Sequence, residues 1–246
     1  MRIQTIRDLI YQAKYEETLA QIEGLDAKAG SLGLLLKSRI YILQEEYEQA
    51  VSVANVVQQK NKVVRDRYHE LGAVVMKSYA FYRLGKVTEA AELLEKGQDL
   101  LGTIQDGKEW ECLLYDVKAR VCWTLGDLKQ ALVFSRKSLA AAKEVEDEFQ
   151  IAESLSPLGL MHRSRGELDQ SISYLARAFA LAKEAGFRYL ESYSWHVIGV
   201  TYFYQGDYGS ALRSFEECMS IDEEDGKYDQ ISCSLFHIKK LKTNVR

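Results

Sequence analysis

A single proline, Pro157, in 246 residues leaves this chain poor in material for proline-led turns or polyproline linkers. Cysteine is also sparse. Cys112, Cys122, Cys218 and Cys233 stand apart, with no CxxC or Cys/His ligand spacing, so neither a zinc centre nor a disulfide framework is suggested. They read as small packing residues, reduced in a cytosol. Long apolar runs are missing: Leu34-Leu35-Leu36 is far short of the ~20 residues that span a bilayer. The opening MRIQTIRDLIYQ lacks the continuous apolar core of a signal peptide, so a soluble cytoplasmic protein without membrane attachment is expected. The formal net charge of −4 gives no global footprint for nucleic acid. Local charge does cluster, at Lys60-Asn61-Lys62 with Arg65 and Arg67, at Glu144 to Glu148, and at Lys239, Lys240, Lys242 and Arg246. These clusters read as solvated faces and loops. His69, His162, His196 and His237 are dispersed, and no G-x-x-x-x-G-K-[ST], H-E-x-x-H or G-x-S-x-G occurs. The expectation is therefore not an enzyme, with no cofactor and no metal.

What the chain does contain is helix formers and a repeat. Apolar residues at 47% and charged residues at 28% mark a folded chain rather than a disordered one. Arg, Lys, Glu, Ala and Leu dominate the long segments, which makes the class all-α. Gly85, Gly126, Gly166 and Gly206 recur at intervals of 41, 40 and 40 residues, in RLGKVTEAAELL, TLGDLKQALVF, SRGELDQSISYL and YQGDYGSALRSF. Each context reads as a helix end, a glycine-led turn and a second helix. A small residue follows five places after each glycine: Ala90, Ala131, Ser171 and Ala211. Self-similarity at this period marks a solenoid, whose units bury their apolar faces by stacking.

The pattern extends backwards. Tyr47 and Ala50 stand where Leu128 and Ala131 stand, which puts Glu45 at the turn site, 40 residues before Gly85. Tyr15 and Thr18 repeat the arrangement with Ala13 at the turn, in a shortened first unit of the kind that caps an array. The expected organisation is one solenoid domain over 1–246. Its units fall at about 1–26, 30–60, 67–104, 108–144, 147–184 and 187–224, with a capping helix at 229–242. In that last segment Ile231, Leu235, Ile238 and Leu241 share one helical stripe, and Lys239, Lys240 and Lys242 complement the macrodipole. Pro157 falls inside the first helix of unit five. It removes an amide donor and crowds the carbonyl of Glu153. The apolar rhythm Ile151, Leu155, Leu158 favours a kinked but continuous helix over a late start with Ser156 as cap.

The sixth unit carries Trp195, Ile198, Gly199 and Tyr202, then Gly206, Tyr208, Ala211 and Phe215. This resembles the tetratricopeptide repeat, with its W-x2-L-G-x2-Y first helix and an Ala and aromatic in the second. The fifth unit matches through Leu155, Leu158 and Gly159, with His162 for the usual tyrosine and Ser171 for the usual alanine. The fourth keeps Tyr115, Ala119, Gly126 and Ala131; the third keeps Phe81, Gly85 and Ala90; the second keeps Tyr41, Tyr47 and Ala50. Units of about 40 residues, roughly six above the usual length, are similar to those of kinesin light chains, of receptor-to-spindle adaptors and of bacterial and archaeal signalling proteins. The resemblance implies a right-handed α-solenoid of antiparallel helix pairs that holds peptides or proteins. Gly159 and Gly199, mid-helix, are expected to let the paired helix approach closely.

In that family the first helices line a concave groove. Projecting this sequence onto that arrangement gives Arg39 from unit two and Tyr79, Tyr82 and Arg83 from unit three. Unit four gives Asp116, Arg120 and Trp123, unit five Arg163, and unit six Tyr193, His196, Phe203 and Tyr204. Arginine grips carboxylates bidentately and aromatics offer rigid apolar area, so the expected partner is an acidic or aromatic-acidic peptide. The alternative for each residue is that aromatics fill gaps between units and arginines pair with nearby acids. The lysine–asparagine clamp of chaperone-binding arrays is not matched: Val75, Tyr79 and Asp116 occupy those places, and the chain has only Asn55, Asn61 and Asn244. The same scarcity disfavours an asparagine-based backbone clamp. A protein or peptide partner is expected, with no nucleic acid and no membrane. The other organisation open to the chain is a regulatory segment of a larger signalling or transcription protein, acting through self-association as a homo-oligomer.

Overall fold

The computed structural model describes residues 7, 9–12, 14–23, 30–105 and 107–224. Among these are eleven helices from Tyr15 onward, helical residues at Arg7 and Leu9–Tyr11, and no strand. In chain order they are α1 (Tyr15–Glu23), α2 (Gly30–Leu43), α3 (Tyr47–Val64), α4 (Arg67–Arg83), α5 (Val87–Leu101), α6 (Lys108–Thr124), α7 (Leu128–Glu144), α8 (Glu148–Ser164), α9 (Leu168–Ala185), α10 (Arg188–Gln205) and α11 (Tyr208–Glu224). The all-α reading in helix pairs therefore holds. The expected capping helix at 229–242 lies outside the described residues. No helix among the described residues is long and apolar enough to cross a membrane.

The chain divides into two compact units, Met1–Asp147 and Glu148–Arg246. In the first, α2 pairs with α3, α4 with α5 and α6 with α7, while α2, α4 and α6 pack side by side. In the second, α8 pairs with α9 and α10 with α11, and α9 also packs on α10. The two helices of a pair have different burial. The first is covered on most sides: α6 buries the continuous run from Cys112 to Ala119, and α8 that from Ala152 to His162. The second buries only a stripe. In α9 this is Ser171, Leu175, Ala178 and Ala182, spaced at one helical turn. First helices are thus packed by neighbours on several sides.

The repeat's geometry is set at its turns. Glu45, Gly85, Gly126, Gly166 and Gly206 all adopt left-handed backbone, with φ of 64°, 75°, 86°, 76° and 82°. Glu45 therefore does occupy the glycine position that the spacing assigned to it. After each turn the next amide donates back to the motif's aromatic site: Glu46 to Tyr41, Lys86 to Phe81, Asp127 to Cys122, Glu167 to His162 and Asp207 to Tyr202, at 2.8–3.1 Å. These are the six-to-one bonds of a Schellman helix end, repeated five times. A second left-handed series, not anticipated from the sequence, links one pair to the next: Arg65, Glu146 and Gly186, with φ of 56°, 54° and 74°.

Gly159 and Gly199 have the structural reason expected of them. A Cβ on Gly159 would stand 2.6 Å from Leu175 Cγ, and one on Gly199 2.8 Å from Phe215 Cε1. The space is taken by a side chain of the paired helix rather than by its backbone. Ala131 and Ala211 are fully buried on the facing helices. The helix α8 runs unbroken from Glu148 to Ser164 with Pro157 inside it, so the late start at Ser156 does not occur.

Candidate functional site

Unit two to four candidates are drawn together around one aromatic ring. The guanidinium carbon of Arg39 on α2 lies 5.5 Å from the Tyr79 ring centroid, and that of Arg120 on α6 lies 5.9 Å from the same ring. Arg120 Nε donates to Asp116 Oδ2 at 2.8 Å, and Asp116 is only 2% exposed. Tyr79 is 3% exposed and Arg39 8%. The cluster thus ties α2, α4 and α6 together, and cation–π contact with a planar guanidinium suits so desolvated a place. Arg83, at the end of α4, instead reaches the turn of the preceding pair. It donates to Glu45 Oε1 at 2.9 Å and stacks 4.9 Å from the Tyr47 ring. Tyr82 and Trp123 are half-buried at the ends of their helices. In this unit Arg83 and Arg120 each have a carboxylate of their own.

The second compact unit is arranged differently. Arg163 on α8 is half-buried, with its guanidinium carbon 5.7 Å from the ring of Tyr204 on α10. Burial lowers its pKa, while the nearby Tyr193 and Tyr204 hydroxyls act in the opposite sense. No carboxylate pairs with it among the described residues. Tyr193 stacks on Tyr189, with centroids 6.2 Å apart, and Tyr204 is 69% exposed. Phe203 packs edge-on to Tyr204 and 5.6 Å from Tyr208. His196 lies 5.7 Å from the fully buried Phe215 ring, in the seam between α10 and α11. Arg163, Tyr193 and Tyr204 therefore come together, and His196 sits apart from them. Neighbouring His162 faces elsewhere: it is 5% exposed, stacked on Tyr174 and bonded through Nδ1 to Glu167 Oε2.

One cluster escaped sequence reasoning altogether. Arg7 donates both terminal nitrogens to Glu109 in the first turn of α6, with Nη1 to Oε1 at 2.6 Å. Tyr68 in the first turn of α4 donates its hydroxyl to Glu109 Oε2 at 2.9 Å. Burial pushes Glu109 up, but the hydrogen bonds and charge of Arg7 and the bond from Tyr68 hold it below the usual carboxylate range. Burial and the Glu109 charge push the Tyr68 hydroxyl up to about 12. Tyr11 donates to Asp147 Oδ2 at 3.2 Å, and Ile10 between them is 1% exposed. No periodicity could have signalled pairs separated by 102 and 136 residues. Among the described residues no three His, Cys, Asp or Glu side chains are grouped to hold a metal ion.

The helix pairs, their glycine-led turns and the small residues at Gly199 and Ala211 fit one repeat family, and residues 150–224 match its model, the tetratricopeptide repeat. The matched stretch takes in nearly all of α8 and the whole of α9, α10 and α11. No curated protein matches the chain. Among solved structures, a Rap protein complexed with competence and sporulation factor is similar, with a TM-score of 0.69 at 12% identity over 98% of this chain and 75% of that one. A signal-transduction ATPase (STAND) with a tetratricopeptide repeat sensor, from Pyrococcus horikoshii, has a TM-score of 0.66 at 17% identity, covering 91% of this chain and 33% of that one. The kinesin light chain TPR-like repeats of Podosopora anserina give a TM-score of 0.51 at 16% identity, over 82% of this chain and 99% of that one. The likeness to kinesin light chain and archaeal signalling arrays expected from the repeat holds at the level of fold.

Proposed function

We propose that this protein, an array of helix pairs similar to tetratricopeptide repeats, is a non-catalytic binding module that holds an acidic or aromatic-acidic segment of a partner protein against its first helices. One observation carries the reading: Arg163 lies half-buried against Tyr204 and near Tyr193, with no carboxylate of its own among the described residues. A desolvated cation gains most from an incoming carboxylate, which a guanidinium engages through two parallel hydrogen bonds. The flanking rings add rigid contact area at low entropy cost. The Rap structure of similar fold is a complex with competence and sporulation factor, which supports a ligand-holding role by analogy of fold alone. Arg39 and Arg120, stacked on Tyr79, belong to the same reading as a support for the first helices of their own unit.

A peptide array scored against the purified protein tests the proposal. The expected result is preferential capture of acidic over basic sequences, lost in the Arg163→Ala variant. Equal capture of both charge classes, or capture unchanged when Arg120→Ala and Arg163→Ala are combined, overturns it.

A further inference from the structure

In a repeat array each unit touches its neighbours and little else. Arg7 and Tyr11 break that rule, because their partners Glu109 and Asp147 lie three and four repeats further along the chain. Arg7 and Leu9–Tyr11 are helical, and Gln12 and Lys14 are not, so this turn of helix is separate from α1. It rests on the first turns of two successive first helices, at Tyr68 of α4 and Glu109 of α6, with Tyr11 reaching Asp147 beyond α7. Three features of the seat select what it holds. The Glu109 carboxylate, already oriented by the Tyr68 hydroxyl, takes a guanidinium through both oxygens. An aliphatic side chain three residues on is wholly buried, as Ile10 is at 1% exposure. The adjacent tyrosine hydroxyl donates to Asp147.

We propose that residues 7–11 are an internal ligand, and that the Tyr68–Glu109–Asp147 seat is a binding site for a partner segment of the same pattern: an arginine, an aliphatic residue three places on, then a tyrosine. The cis segment closes the site until such a partner takes it. The site is independent of Arg163 and opposite to it in charge preference. Tethering makes the cis segment a strong competitor, since its effective concentration is on the order of millimolar. An external ligand therefore sees its affinity reduced by the fraction of molecules whose seat is open.

A fluorescent peptide with the sequence of residues 3–14 tests this against the full chain. The expected result is weak binding to the wild type and at least about tenfold tighter binding to Arg7→Glu, whose own segment no longer fits. Glu109→Arg should abolish binding, and a peptide carrying Glu at its Arg7 position should restore it. On the wild type, excess peptide should speed amide hydrogen exchange at Leu9–Tyr11. Equal affinity for wild type and Arg7→Glu, or no binding to either, overturns the proposal. So does loss of the cooperative thermal melt in Arg7→Glu, which would make the segment part of the fold. Concentration-dependent dimerisation of Arg7→Glu mixed with Glu109→Arg, with no peptide binding, overturns it in favour of exchange between two copies.

Discussion

Replacing Gly159 by alanine probes the contact between α8 and α9 with a change of sign. At an open helix position alanine is better than glycine by about 1 kcal/mol. At Gly159 the new Cβ would meet Leu175 Cγ at 2.6 Å and its two methyl carbons at 2.9 and 3.3 Å. Cγ is a branch point rather than the far end of a flexible chain, and Leu175 is fully buried. Relieving such overpacking costs about 1–3 kcal/mol, so the balance against helix propensity is a net loss of about 1 kcal/mol. For a chain of this size that is a fall of roughly 2–4 °C in Tm. Leu175→Ala alone opens a cavity and should cost about 2–5 kcal/mol. In that background the clash is gone, and Gly159→Ala should become stabilising by about 1 kcal/mol. Denaturant unfolding of the four proteins, followed by circular dichroism, measures a coupling of about 2 kcal/mol between the sites. Stabilisation by Gly159→Ala in both backgrounds would refute close approach as the reason for the glycine.

Non-glycine residues at left-handed turns offer a second test. Holding one there costs about 1–2 kcal/mol and glycine's extra chain entropy about 0.5–1 kcal/mol, so Glu146→Gly and Arg65→Gly should each raise Tm by a few degrees in thermal melts. Glu45→Gly should gain less, because it also gives up the ion pair with Arg83. The pH dependence of stability should carry two marks of the Arg7 cluster. Glu109, held low, contributes stability above its unfolded pKa that is lost as pH falls through its folded value, and Arg7→Ala should flatten that acid limb. Tyr68, raised to about 12, contributes stability that is intact below its ordinary value near 10 and lost as pH rises from there towards 12; Tyr68→Phe should remove that alkaline loss in melts across the range.

The parts of the fold that were legible in the sequence are those fixed by local backbone chemistry. Gly85, Gly126, Gly166 and Gly206 announce a left-handed residue directly, and their spacing placed Glu45 at a turn that its own side chain would never suggest. Arg65 and Glu146 adopt the same conformation without glycine, so two of the three turns in the second series left no trace in composition, and Gly186 alone does not reveal a repeat. The continuity of α8 through Pro157 was legible because the apolar rhythm persists on both sides of it. Among the site candidates, residue type identified arginines, aromatics and Asp116, but not which of them pair. Arg83 and Arg120 meet Glu45 and Asp116, whereas Arg163 meets the Tyr204 ring and no carboxylate among the described residues. Asp116 stands one turn before Arg120 on α6, a pairing that helical period encodes, whereas Glu45 reaches Arg83 from the turn of the preceding pair, a matter of packing rather than period. The Arg7–Glu109 pair is further still from local information, since nothing near either residue encodes the other.

Isothermal titration of the best acidic peptide from the array, into wild type and Arg163→Ala side by side, tests the central claim most directly. The account predicts a loss of at least about tenfold in affinity on removing Arg163, equivalent to about 1.4 kcal/mol, with Tm unchanged and affinity falling as salt is raised. Equal affinity for the two proteins, with both melting alike, would contradict it.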